Sequence, residues 1–216
     1  YKLYLLCSGH YNCSKILPQR VRCLRIQNIR AEEVPRSVVH LKITDTLFGN
    51  TSRLPDTLEK LKVVNFSGYV YNYHELPNSI RELKIFGNYY VIIPSSVVKL
   101  KLLGGYNHYT VLPEYVRELV VGHKFNQPIK IHKYMRILKF GYKFNHNIEI
   151  PEGVEILKFG KKFNSKFNIP STLKYLKLGE NFNQYLGSSR LNPKRKSYIP
   201  DTINHLVLHK NYKHSI

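Results

Sequence analysis

The chain has 216 residues, 43% of them hydrophobic, which supports one or two cored domains and excludes a disordered chain. Lys and Arg number 34 against 14 Asp and Glu, a formal net charge of +20, and a field that positive attracts polyanions and acidic protein surfaces. No apolar run reaches the roughly 18 residues of a membrane helix, the apolar start at Leu3–Leu6 is too short for a signal peptide, and three cysteines build no disulfide framework.

Residues 1–16 read as a partial repeat or a cap. Leu3-Tyr4-Leu5 alternates like a short strand and stands 21 residues before Leu24. The chain thus begins inside a repeat and, lacking an initiator methionine, is expected to be a piece of something longer. Cys7-x-x-His10-x-x-Cys13, with Cys23 beyond it, supplies zinc-ligand residue types. The spacing fits no zinc module, and neither a metal nor another cofactor is expected.

From Leu17 the chain repeats itself. Pro18, Pro35, Pro55, Pro77, Pro94, Pro113, Pro151, Pro170 and Pro200, with His132 in place of one proline, each follow Leu, Ile or Val. Six positions after every marker stands leucine: Leu24, Leu41, Leu61, Leu83, Leu100, Leu119, Leu138, Leu157, Leu176 and Leu206. Eight after it stands a second apolar residue, from Ile26 to Leu208. Side chains two apart share a strand face, so each unit supplies one short strand of the form Leu-x-apolar. Markers are 17, 20, 22 and 17 residues apart, then 19 four times, then 30.

The metrical part carries a further signature, Gly122-x-x-Phe125-Asn126, Gly141-x-x-Phe144-Asn145, Gly160-x-x-Phe163-Asn164 and Gly179-x-x-Phe182-Asn183. Tyr89 and Tyr106 hold the Phe column earlier and belong to the core. A 19-residue period leaves no room for a true helix. Proline fixes one bend, and the glycines are expected to make another at positive φ. The phenylalanines form a spine of rings, and the asparagine amides tie down neighbouring turns. About nine repeats fill 17–183, a basic insertion fills 184–198, and a last repeat fills 199–216. The insertion, with Arg190, Lys194, Arg195 and Lys196, is expected to be a solvated loop.

Ile150-Pro151-x-x-Val154-x-x-Leu157-x-Phe159-Gly160-x-x-Phe163-Asn164 resembles the FNIP repeat, a relative of leucine-rich repeats found in amoebal and giant-virus proteins. Phe167-Asn168-Ile169-Pro170 spells the name. The resemblance implies a β-rich, leucine-rich-repeat-like solenoid over 1–216 as a single domain, a right-handed coil stack with one long parallel sheet and little helix. It also implies an intracellular place, in host cytoplasm or a virion, with the nucleus left open by the basic run. Family members often carry an F-box ahead of the repeats and are taken to be substrate receptors of ubiquitin ligases. Residues 1–216 hold no such helical segment.

Seven positions after the marker, between the two inward strand residues, the chain reads Arg25, Lys42, Lys62, Lys84, Lys101, Val120, Lys139, Lys158, Lys177 and Val207. Stacked in register, these cations would stand about 5 Å apart, where repulsion in water is about 1 kcal/mol per pair. Such a row either keeps a sheet soluble or binds an acidic surface or phosphate backbone. Tyr69, Tyr71 and Tyr73, in the longest early connection, are candidate aromatic anchors for a partner. No phosphate-binding glycine loop, nucleophile elbow or HExxH motif occurs, so no enzyme is expected. The sequence thus points to a non-catalytic module whose basic face and Tyr-rich loops bind a protein partner, acidic by complementarity. The alternatives are nucleic-acid binding along the Lys/Arg row, or a structural virion component that self-associates; no membrane partner is expected.

Overall fold

The computed structural model describes residues 2–4, 17–18, 20–48, 51–64, 76–186 and 199–214, the first three and 45–48 by their backbone alone. Two compact units make up the chain, Tyr1–Tyr106 and Asn107–Ile216. Each is a parallel β-solenoid whose strand order follows chain order. Among the described residues the only helical elements are the 3-10 turns Ala31–Glu33 and Thr51–Arg53.

In the first unit the strands are β1 (Lys2–Tyr4), β2 (Cys23–Arg30), β3 (His40–Phe48), β4 (Lys60–Val64), β5 (Glu82–Phe86) and β6 (Lys99–Leu103). The leucine column sets their register: Leu3 pairs with Leu24, then Leu41, Leu61, Leu83 and Leu100 follow without a slip. Leu3-Tyr4 is therefore a strand of the same sheet, as its spacing suggests. The irregular early spacing has a structural cause that the three-residue strand pattern misses. β2 and β3 run on for eight and nine residues, and their pairing shifts between Ile26 and Asn28, then resumes as Asn28 with Thr46 and Ile29 with Leu47. A bulge of this kind adds a residue to one strand and leaves the coils stacked.

The second unit holds β7 (Glu118–Val121), β8 (Ile137–Lys139), β9 (Ile156–Lys158), β10 (Tyr175–Lys177) and β11 (His205–Val207). Leu119, Leu138, Leu157, Leu176 and Leu206 pair in register. Inward lie the two strand columns and the Phe column. Phe125, Phe144, Phe163 and Phe182 are buried and stack ring on ring at 6.2, 6.1 and 5.9 Å between centroids. Tyr89 and Tyr106, which hold that column in the first unit, are buried as well.

Every described coil opens with the same turn. The amide three residues after the marker donates to the marker's carbonyl, as in Val38 to Pro35 (3.0 Å), Leu58 to Pro55 (3.0 Å) and Met135 to His132 (3.1 Å). Since the marker only accepts here, proline loses nothing by lacking an N–H.

The glycine column corrects the sequence expectation. Positive φ occurs among the described glycines only at Gly104 (65°) and Gly153 (98°), not at Gly122, Gly141, Gly160 or Gly179. Glycine is needed there for proximity. A Cβ on Gly141 would strike the carbonyl of Gly122, one on Gly160 the carbonyl of Gly141, and one on Gly179 the carbonyl of Gly160.

Candidate functional site: a basic sheet face

In each strand the two inward residues are the leucine and the apolar residue two further on, so the residue between them faces out. On the first unit these are Arg25, Lys42, Lys62, Lys84 and Lys101, and the ladder pairs each with the next: Arg25 with Lys42, Lys42 with Lys62, Lys62 with Lys84, Lys84 with Lys101. Five cations thus form one unbroken row, at the roughly 4.8 Å spacing of hydrogen-bonded strands. None of Arg25, Lys42, Lys62 and Lys84 makes an ion pair with an acid among the described residues. Lys62 sits at the middle, and its ammonium is held below the ordinary lysine range, first by partial burial and then by repulsion from Lys42, Lys84 and Arg25. The row is strained electrostatically as it stands.

Two other outward rows flank it. On one side are Cys23, His40, Lys60 and Glu82, with Cys23 Sγ 3.5 Å from His40 Nδ1 and Lys60 Nζ 3.9 Å from Glu82 Oε2. Together with Arg25, Lys42, Lys62 and Lys84 they line a shallow cavity of about 400 Å³ whose floor is the strand backbone at Leu24, Leu41 and Leu61. On the other side the outward row is polar at Gln27 and Thr44 and apolar at its far end, where Val64 is buried and Phe86 and Leu103 are half-exposed.

The second unit presents a different face. Lys139, Lys158 and Lys177 pair in register, but valine stands at each end of the run, Val120 opposite Lys139 and Val207 opposite Lys177. The adjoining row is Ile137, Ile156 and Tyr175, all half-exposed. Lys158 Nζ lies 4.4 Å from the centre of the Tyr175 ring, which stacks on His205 at 5.8 Å. A cation over an aromatic face is attracted by the ring's negative quadrupole, so this lysine has an internal partner where Lys62 has only repulsive neighbours.

Tyr69, Tyr71 and Tyr73, residues 187–198 of the basic insertion with all four of its cations, and the Cys7/His10/Cys13 cluster lie outside the described residues. Among the described ones no group of three or more His, Cys, Asp or Glu is placed to hold a metal ion, and no helix is long and apolar enough to cross a membrane. Sequence reading overlooked other aromatics. Tyr115 and Tyr134, each two residues after a marker, are exposed and stack at 5.4 Å, with Lys133 Nζ 5.0 Å from the Tyr134 ring. The signal for them was positional, since both hold the column in which other repeats place Ser37, Thr57, Ser79 and Ser96.

The asparagine column is structural. The amide of Asn126 donates to Asn107 Oδ1 (2.7 Å), Asn145 to Asn126 (3.0 Å), Asn164 to Asn145 (2.8 Å) and Asn183 to Asn164 (2.8 Å). Each side chain therefore holds the turn of the following coil, as expected.

Stacked parallel strands, a leucine ladder and repeated tight turns define a leucine-rich-repeat-like β-solenoid. Residues 144–181 match the family model described as FNIP Repeat, the segment that contains Ile150-Pro151 through Asn164. A solved giant-virus structure, titled as CroV588, a novel circular LRR protein, shares the fold over 93% of this chain with a TM-score of 0.67 and 24% identity. This chain spans 35% of the length of that one, and at such identity the likeness is one of fold. No curated protein matches the chain. The chain is thus a leucine-rich-repeat-like solenoid with FNIP repeat sequence at residues 144–181.

Proposed function

We propose that the chain is a non-catalytic binding module that works inside the cell and presents its basic sheet face to an acidic protein partner. Repeat solenoids bind through extended surfaces, and this surface is set by the strand register of the first unit. The observation that carries the reading is the unbroken row Arg25–Lys42–Lys62–Lys84–Lys101, in which like charges stand opposite one another. A fold that needed only solubility would be served by alternating signs, because like charges directly opposite are destabilising. On the second unit, Lys139, Lys158 and Lys177, with Tyr175 beside them, are candidates for a partner surface of that unit's own. Tyr69, Tyr71 and Tyr73 remain candidates as aromatic anchors.

The same row favours a second reading, binding of a nucleic-acid backbone. Capture from nuclease-treated lysate, with wild type beside Lys62→Glu/Lys84→Glu, separates the two. The expected result is a discrete protein retained by wild type after nuclease and lost from the double variant. Capture that disappears with nuclease makes the row a polyanion site. Capture indifferent to the double variant makes it a solubility device.

A further inference from the structure

We infer that the occupant of the first unit's sheet face is an amphipathic α-helix carrying an acidic stripe, laid across the strands along the cation row. The inference rests on the protein-partner reading above and names the shape of that partner.

The argument is one of spacing. Five cations at a strand spacing of about 4.8 Å span about 19 Å. A helix with acids at i, i+4, i+7, i+11 and i+14 places five carboxylates along one stripe over about 21 Å, at about 1.5 Å per residue. The mismatch of about 2 Å is absorbed by flexible lysine stems. An extended peptide with acids on one side, at every second residue, would need about 26 Å for the same five charges, so its outer carboxylates fall off the row. It cannot instead join the sheet here, because a strand adds at a sheet edge, and these residues lie on the face.

The flanking rows agree. The row beyond the cations is apolar at Val64, Phe86 and Leu103. A helix is about 10 Å across, wide enough to set its acidic stripe on Lys42, Lys62 and Lys84 and an adjoining apolar stripe on Phe86 and Leu103. On the other flank the single acid, Glu82, is matched by Lys60 at 3.9 Å, and His40 stands open to the same cavity. Docking would relieve the repulsion now focused on Lys62, because each carboxylate would face a cation of the row.

The test uses the full 216-residue chain and synthetic peptides of about 18 residues, long enough for five turns of helix. One peptide has glutamates at i, i+4, i+7, i+11 and i+14 beside an apolar stripe. A second has the same composition with the glutamates distributed round the helix. A third probe is an oligodeoxythymidine of similar charge. Fluorescence anisotropy is expected to show the striped peptide binding about tenfold more tightly than its redistributed isomer, the difference made by two or three well-placed ion pairs. That preference is expected to vanish in Lys62→Glu/Lys84→Glu, whose fold is checked by circular dichroism. If both peptides bind equally and both are lost in the double variant, the helix is overturned while the basic face stands. If neither peptide binds, or charge reversal changes nothing, both readings fall. If the oligonucleotide binds more tightly than either peptide, the row is a polyanion site and the helix is again overturned.

Discussion

Each unit is built on a leucine ladder, and the two fasten their coils differently. In the first, a hydroxyl two residues after the marker donates to the carbonyl of the preceding coil: Ser37 to Val21, Ser79 to Leu58 and Ser96 to Ile80, each at 2.8 Å, and Thr57 to Val38 at 2.9 Å. In the second, only Thr172 and Thr202 keep that bond, to Val154 and Leu173 at 3.0 Å, while Asn107, Asn126, Asn145 and Asn164 hold the turns on another corner, and glycine and phenylalanine columns stack behind them. The consequence is metre. Coils tied near the marker leave the rest of the loop free to vary, and steps of 17, 20 and 22 residues are accommodated. Coils tied by glycine, phenylalanine and asparagine after the strand repeat in step, three times at 19 residues. The last step is 30 residues long and takes its extra length after Asn183, so Phe182 still stacks on Tyr212 at 6.1 Å and the Lys213 amide still donates to Asn183 Oδ1 at 3.2 Å.

Breaking the stricter unit should therefore have the largest effect. Gly160→Ala drives a Cβ into the backbone carbonyl of Gly141, which cannot move without disturbing the next coil. A loss of about 3 kcal/mol is expected in chemical denaturation. Gly105→Ala in the first unit meets only Asn88 Cβ at 3.3 Å and is expected to cost less than about 1 kcal/mol. Equal effects would show that close glycine stacking does not set the metre.

A smaller effect tests the fastenings themselves. Asn164→Ala removes the acceptor of the Asn183 amide (2.8 Å) and of Gln184 Nε2 (3.3 Å). Ser96→Ala removes one hydroxyl donor to Ile80 (2.8 Å). Each should lose about 1 kcal/mol, with the asparagine variant the worse of the two because it releases two donors. A larger loss from Ser96→Ala would make the hydroxyl column the stronger tie and undo the explanation of the metre.

Much of this was legible before any coordinates. The leucine and apolar columns fix strand register, because a one-residue slip would turn every leucine outward. That register alone places Lys42 beside Lys62 and Lys62 beside Lys84. The Phe spine and the asparagine ladder follow from the same period. Three features were not legible. A glycine in sequence signals either positive φ or close approach, and only the neighbouring backbone shows that Gly141, Gly160 and Gly179 serve the second. The strand extension past Ile26 and Ile43 is hidden because Asn28, Thr44 and Thr46 break the apolar alternation. The hydroxyl column was missed because Tyr115, Tyr134 and Gly153 interrupt it, and a hydrogen-bonding role is spread over Ser and Thr without a single letter to mark it.

The smallest effect concerns the cation row. Lys62 is held below its ordinary pKa by burial and by Lys42, Lys84 and Arg25, so the fold disfavours its charged form. The penalty is present at neutral pH and is relieved as pH rises through the folded value towards the ordinary 10.5. Lys62→Met should therefore stabilise the first unit at pH 7 by a few tenths of a kcal/mol, the size of a relieved cross-strand like-charge pair. The gain should shrink in high salt and near pH 11, where the wild-type lysine is already neutral. Lys158→Met in the second unit should bring no such gain, because Lys158 lies over Tyr175 at 4.4 Å and loses a favourable contact when replaced. A residue that weakens its own fold is retained for what it binds, so the variant that gains stability should be the one that loses the acidic partner. If Lys62→Met gains stability and still binds that partner as wild type does, the row is a consequence of the repeat rather than the site.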